Sequence, residues 1–465
     1  MATSGPKLWQ KEYQLNALAE RYEIGDDAVL DNRLVPADVW GSMAHAIMLN
    51  RIGVLSDDEV NALLKELVHI LALHDAGAFA LAEGDEDVHT KIENHLTEVT
   101  GDAGKKIHTA RSRNDQVLVD TRLYTKGELL TTMANAIDAA DAFAAFAERE
   151  QWTPMPGYTH MQRAMLSSVG LWASAFAESL LDDLALLKTA YEITDQNPLG
   201  SAASYGVNLP IDRQLTTDLL GFAKVQNNVL YTQNARGKFE ALAVQALAQV
   251  MLDLSKFAQD MLLFVTSEYN FMRMSETLET GSSIMPQKRN PDLMELVRGR
   301  THTVLALQQQ ICGIIAGLPS GYNIDFQETK GPMIRAFDMV NDALAICALT
   351  IRNTAVNQEG IRAACTPELF ATDAAYRLVR EQGMPFRDAY HTIARIAHDL
   401  PPVDPDTALR ERTHLGASGN LGLDHLHRWI AQEQTIVQQR HDRFAGAIDA
   451  LVATAEQGIG DSRKG

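Results

Sequence analysis

Phe239-Glu-Ala-Leu-Ala-Val-Gln-Ala-Leu-Ala-Gln-Val-Met-Leu-Asp-Leu-Ser-Lys-Phe-Ala-Gln-Asp-Met-Leu-Leu-Phe-Val-Thr-Ser-Glu268 runs for thirty residues with neither proline nor glycine. Its polar residues Gln245, Gln249, Asp253, Lys256 and Asp260 recur every three or four positions and form one narrow stripe. The remainder is apolar almost all round, the pattern of a helix buried on most sides. At 1.5 Å per residue it spans roughly 45 Å. A helix so long and so apolar needs several long neighbours, from its own chain or from other copies, so the stretch predicts a large helical bundle that assembles into an oligomer.

The punctuation on either side agrees. No proline lies between Pro210 and Pro286, Lys105 to Thr153 holds only Gly127 as a breaker, and Met333 to Glu359 holds none. Such segments, rich in Ala, Leu, Glu and Gln, read as long helices. A shorter helix opens at Ser56, where Glu59 completes a capping box ahead of Val60, Leu63, Leu64, Leu67, Val68 and Leu71. No alternating strand pattern of consequence, solenoid repeat or low-complexity tract interrupts the series. The chain reads as all-α, with an N-terminal helical domain over residues 1–110, a central long-helix bundle over 111–360 and a C-terminal helical domain over 361–465.

Composition narrows the function. With 465 residues, 46% hydrophobic and 22% charged, the chain has the make-up of an ordinary globular protein. A formal charge of −19 has the wrong sign for coating nucleic acid or an anionic membrane. Cys312, Cys347 and Cys365 are odd in number and far apart, which fits a reducing compartment better than a disulfide framework. No uninterrupted apolar run reaches the ~18 residues of a membrane span, and Met1 to Gln10 has no signal-peptide core. The expected location is the cytoplasm. There is no P-loop, HExxH, GxSxG elbow or trusted metal-ligand spacing, so no cofactor and no metal is expected.

Four stretches depart from helix interior: Asp87-Val-His-Thr90 with His108-Thr-Ala-Arg-Ser-Arg-Asn-Asp-Gln116; Pro154-Met-Pro-Gly-Tyr-Thr-His-Met-Gln-Arg163; Gly281-Ser-Ser-Ile-Met-Pro-Gln-Lys-Arg-Asn-Pro-Asp292; and Gly321-Tyr-Asn-Ile-Asp-Phe-Gln-Glu-Thr-Lys330. Asn290-Pro291-Asp292 reads as a helix start, with Asn as cap, Pro in the first position and an acid in the first turn. Gly281-Ser282-Ser283 with Lys288 fits a mobile loop closing on an anion and a plain surface loop equally well. His160 lies between a Pro/Gly turn and a helical run expected from about Gln162. Taken singly, His89, His108, the arginines at 111 and 113, and Tyr322, Gln327 and Lys330 read as surface or loop residues.

Together the four stretches resemble the argininosuccinate lyases of the fumarase/aspartase superfamily. The Gly281 to Pro291 loop is similar to the superfamily signature. His108 to Val117, Gly157 to Ala164, Tyr322 to Lys330, Leu369 to Tyr376 and Gly383 to Arg387 are similar to the lyase in particular, in the same order. The resemblance implies a homotetramer with shared active sites and a small-molecule substrate, argininosuccinate, split reversibly into arginine and fumarate. It makes Ser282 the base, with Ser283 its neighbour in the motif, and His160 the acid, oriented by Glu295. Lys288, with Asn290, would stabilise the dianion. It assigns substrate binding to Asn114, Thr159, Tyr322, Gln327 and Lys330, the first two on a different chain from the last three, with Arg113 and His89 as further contributors. Departures are Trp9-Gln10-Lys-Glu-Tyr13 for the usual Trp-Gly-Gly-Arg-Phe, Asp27 for an expected serine, Ala110 for a glycine, and Asn234-Ala-Arg236-Gly237 for Ser-x-Arg-Asp. They leave open a C–N lyase acting on another N-substituted aspartate. A silent structural homologue is disfavoured by the presence of His160, Ser282, Lys288 and Glu295.

Overall fold

The computed structural model describes residues 16–81 and 85–460. Trp9 to Tyr13 lie outside the described residues, as does the side chain of Asp27. Three helices, α1 (Val35–Arg51), α2 (Asp57–Asp75) and α3 (Val88–Thr100), form the first layer. The capping box read from sequence opens α2: Glu59 N–H donates to Ser56 Oγ at 3.3 Å, and Ser56 N–H donates to Glu59 Oε2 at 2.9 Å. A second box opens α4 (Arg113–Arg149), where Ser112 N–H donates to Asp115 Oδ1 at 2.9 Å. The 37 residues of α4 span roughly 55 Å.

α4 packs along α5 (Val169–Thr194) and α8 (Lys330–Arg352), and α6 (Lys238–Phe264) packs on α5, α7 (Asp292–Ile315) and α8 to complete the central bundle. The quoted stretch is α6. Gln245, Gln249, Leu252, Lys256 and Gln259 are its exposed stripe, and its other faces are buried against α5, α7 and α8. Phe143 of α4, Phe176 of α5 and Phe257 of α6 meet with ring centroids 4.8–5.6 Å apart. Truncating one such buried ring to alanine costs about 3–5 kcal/mol. Trp172 closes the cluster and donates its Nε1–H to Asp260 Oδ2 at 2.9 Å. Among the described residues α6 has the length and apolarity to cross a membrane, where the sequence reading found no such run. Its polar stripe breaks every uninterrupted run, and its apolar faces are the core of the bundle.

The C-terminal segment holds α9 (Ala371–Gln382) and α10 (Phe386–Ala394), which share a small core of Ala375, Ala389 and Ile393. The last helix, α11 (Leu423–Gln457), returns to pack on α1, α2, α4 and α5.

Two local expectations are corrected. The helical run expected from Gln162 is a strand: β1 (Pro154–Thr159) pairs antiparallel with β2 (Gln162–Ser168), and helix begins only at Val169, capped by Ser168 Oγ. Prolines and a bulge between Pro156 and Tyr158 hide the alternation. Asn290 is not a helix cap. It sits in β4 (Arg289–Asn290), paired with β3 (Thr280–Gly281), and α7 starts at Asp292 behind Pro291. Asn290 Nδ2 faces Thr280 Oγ1 at 3.4 Å, so the ladder has taken the side chain from the helix end.

Candidate active site

The first turn of α4, the Ile324–Thr329 turn and the start of α8 converge on a cavity of about 150 Å³. Arg113, Asn114, Tyr322, Gln327 and Lys330 line it. Residues that sequence reading did not assign line it too: Glu23, Asp31, Glu86, Asp87 and Arg236. Three of the acids, Asp31, Glu86 and Asp87, hold cations. Arg113 reaches Glu86 Oε1 at 2.6 Å and the Asp87 carboxylate. Burial pushes the Asp87 carboxyl up, but His89, Arg113 and the Thr90 N–H together hold it below the ordinary value. Asp31 receives the Lys330 ammonium on one oxygen and the Val88 N–H, at 3.2 Å, on the other. The N-terminus of α3 therefore holds two carboxylates, Asp31 and Asp87, as the dipole of a helix start favours, and each of them fixes a cation.

His89 does not line the cavity. Its ring is buried among Asp38, to which Nδ1 is hydrogen-bonded, and Asp120. Burial favours the neutral ring, and the Asp38 carboxylate overrides this and raises the pKa. Asp38, His89 and Asp120 could present three metal-ligand atoms within 4.8 Å of one another, a juxtaposition that spacing did not suggest. The hydrogen bond from His89 to Asp38, and the charge of Arg111 acting on both carboxyls, make it an ion-pair cluster.

The segment that presents Asn114 is strained and heavily tied. Ala110 has φ 64° at the position where a glycine was expected. Asp115, fully buried, accepts N–H groups from Gly200 at 2.9 Å and Ala202 at 2.8 Å. Asn234 accepts the Gly321 N–H at 2.8 Å and so places Tyr322. Gly237 answers another departure: its φ is 78°, and a Cβ there would lie 2.2 Å from Ile315 Cγ2, so aspartate does not fit this turn.

The remaining candidates lie elsewhere in the chain. His160 and Met161 are the central residues of the β1–β2 hairpin, with φ 54° and 60°. Positive φ at both positions is the two-residue turn that matches strand twist. Thr159 and His160 are exposed at its tip. Ser282 and Lys288 lie in the β3–β4 loop, with Ser283 and Lys288 exposed, and Glu295 is exposed in the first turn of α7. Ser282 Oγ accepts N–H groups from Ile284 at 3.3 Å and Met285 at 3.1 Å. None of these residues lines the cavity. Asn114 does, beside Tyr322, Gln327 and Lys330 of the same chain. This corrects the expectation that it belongs to a different chain from those three: α4 and α8 pack together and bring them to one place.

The sequence profile described as Lyase matches residues 12–306, and that described as argininosuccinate lyase C-terminal matches 368–401. The argininosuccinate lyase of Sorangium cellulosum is 46% identical over 422 residues, covering 91% of this chain and 98% of that protein.

The chain belongs to the argininosuccinate lyase family.

The Parabacteroides distasonis argininosuccinate lyase is 42% identical over 89% of this chain and 92% of its own length. Among solved structures, EDDS lyase in complex with formate superposes with a TM-score of 0.83 at 22% identity, covering 97% of this chain and 98% of that one. A class II fumarase from Schistosoma mansoni gives 0.67 at 14% identity, over 83% and 94%. At those identities the likeness is one of fold, and it establishes the fumarate lyase fold for this member of the argininosuccinate lyase family.

Proposed function

We propose that this chain catalyses the reversible elimination of argininosuccinate to arginine and fumarate, at the last step of arginine biosynthesis. The observation that carries the reading is the cavity holding Asn114, Tyr322, Gln327 and Lys330 in one place, in a chain of the argininosuccinate lyase family. In this reading the substrate lies in the cavity with its succinyl end directed outward. Ser282 takes a proton from the carbon next to a carboxylate. The C–N bond then breaks, its electron pair leaves on the guanidine nitrogen, and His160 protonates that nitrogen. Lys288, with Asn290, compensates the doubly negative intermediate. Glu295 orients His160, and Thr159 binds beside it. His89 acts from behind the cavity by fixing the α3 N-terminus.

A serine is a weak base. The two backbone N–H groups aimed at Ser282 Oγ support the role, because donors at that oxygen favour an alkoxide.

The site is completed by assembly. The hairpin and the β3–β4 loop do not line the cavity of their own chain, so other copies supply them in a homotetramer. Exposed Leu186, Leu252, Leu296 and Leu349, one on each of four bundle helices, support burial of bundle surface in an oligomer. Three free cysteines fit a cytoplasmic protein.

The test is fumarate release, followed by ultraviolet absorbance, from purified protein given argininosuccinate. Rapid release is expected. A folded protein that releases none, yet adds fumarate to another amine, would move the reading to a different N-substituted aspartate.

A further inference from the structure

Arg236 stands apart from the other cations of the cavity. Arg113 is committed to Glu86 and Asp87, and Lys330 to Asp31. Arg236 is 2% exposed and lines the same cavity, but no carboxylate is bonded to its guanidinium among the described residues. The ring of Tyr322 lies beside it, its centroid 5.4 Å from the guanidinium carbon. Glu240 feels its charge, but the hydrogen-bond partner of Glu240 is Thr329 Oγ1 at 3.5 Å. A buried guanidinium with five donors and no bonded acceptor is costly to keep unless a ligand completes it.

The rest of the wall says which ligand. Glu23, Asp31, Glu86 and Asp87 place acids around this cation, which is uncommitted among the described residues. Asp31, Glu86 and Asp87 are taken by Lys330 and Arg113, which leaves Glu23 and Arg236 to meet a zwitterion, its ammonium at the carboxylate and its carboxylate at the guanidinium. The residues of the elimination, His160, Ser282 and Lys288, do not line this cavity, so it takes the end of the substrate away from the bond that breaks. We propose that Arg236 binds the α-carboxylate of the arginine portion of the substrate, with Tyr322 holding the guanidinium plane in place. The inference rests on the argininosuccinate reading above. It makes Arg236 a determinant of specificity for amino-acid over plain amine substrates.

Agmatine, which is arginine without its carboxylate, isolates the interaction. Arginine and agmatine are compared as competitive inhibitors of argininosuccinate cleavage by the intact oligomer. In the unmodified enzyme arginine should bind at least about tenfold more tightly, and in Arg236→Gln the two should agree within about threefold. Arg236→Lys, which keeps the charge but not the planar fork, should retain part of the preference. The ratio of two inhibition constants does not depend on the folded fraction, so partial unfolding of a variant cannot imitate the result. Arg236→Gln with the full preference for arginine would overturn the proposal, as would an unmodified enzyme that cleaves argininosuccinate but does not distinguish the two inhibitors. An enzyme with no cleavage at all would instead overturn the argininosuccinate reading.

Discussion

Asp31 and Lys330, almost three hundred residues apart in sequence, form a buried ion pair at the wall of the cavity, with side chains 2% and 4% exposed. The same carboxylate accepts the Val88 N–H, so one acid ties the N-terminus of α3 to the start of α8. Removing one partner of a buried pair costs about 3–5 kcal/mol, because the other charge is left without compensation. Asp31→Asn should therefore lower stability in thermal or urea unfolding and raise the KM for argininosuccinate about tenfold or more. An unchanged KM would show that Lys330 keeps its place without Asp31.

His45 predicts a pH dependence. It is buried in α1, with Nε2 bonded to the Thr109 carbonyl at 2.9 Å. Burial, helped by the charge of Arg111, pushes its pKa from the ordinary 6.5 down to about 3. The folded protein keeps the ring neutral while the unfolded chain takes up a proton below 6.5. Stability from this site is thus present above that pH and is lost as the pH falls from 6.5 towards 3, by about 1.4 kcal/mol per pH unit. His45→Gln, which can still donate to Thr109, should flatten that part of the stability profile. An equal slope in both proteins would assign the acid loss to other groups.

His160→Asn and Ser282→Ala test the acid and the base. Asparagine tolerates positive φ better than most residues, so the hairpin turn should survive. Ser282 is on a loop at the surface, where truncation leaves no cavity in the core. Each change should lower kcat by about 10²–10⁴-fold with the oligomer intact by light scattering. A variant with near-normal turnover loses its assigned role.

The bundle was legible because α6 writes most of its environment into its own period: Gln245, Gln249 and Lys256 of the polar stripe are exposed, Asp253 and Asp260 lie half-buried at its edge, and the other faces are largely apolar and buried. The capping box at Ser56 was legible because it is local. The hairpin at Thr159–Gln162 was not, since its strands carry prolines and a bulge in place of alternation. Nor was the Asn290 ladder, where a short strand pairing outweighed a good helix-start signal. The cavity was half legible. Motif resemblance named Asn114, Tyr322, Gln327 and Lys330. The acids that hold its cations, Asp31 and Glu86, come from segments with no motif and reach the site only through packing. Arg236 was visible only as part of a departure.

The central claim is that each site joins the cavity of one chain to the hairpin and loop of others. Asn114→Ala and His160→Asn, each close to inactive alone, should complement when their subunits are exchanged into mixed oligomers. With equal mixing, one site in four draws both Asn114 and His160 from unaltered positions, so activity should recover to roughly a quarter of normal. Mixed oligomers, verified by native mass spectrometry, that regain no activity would contradict the shared-site account.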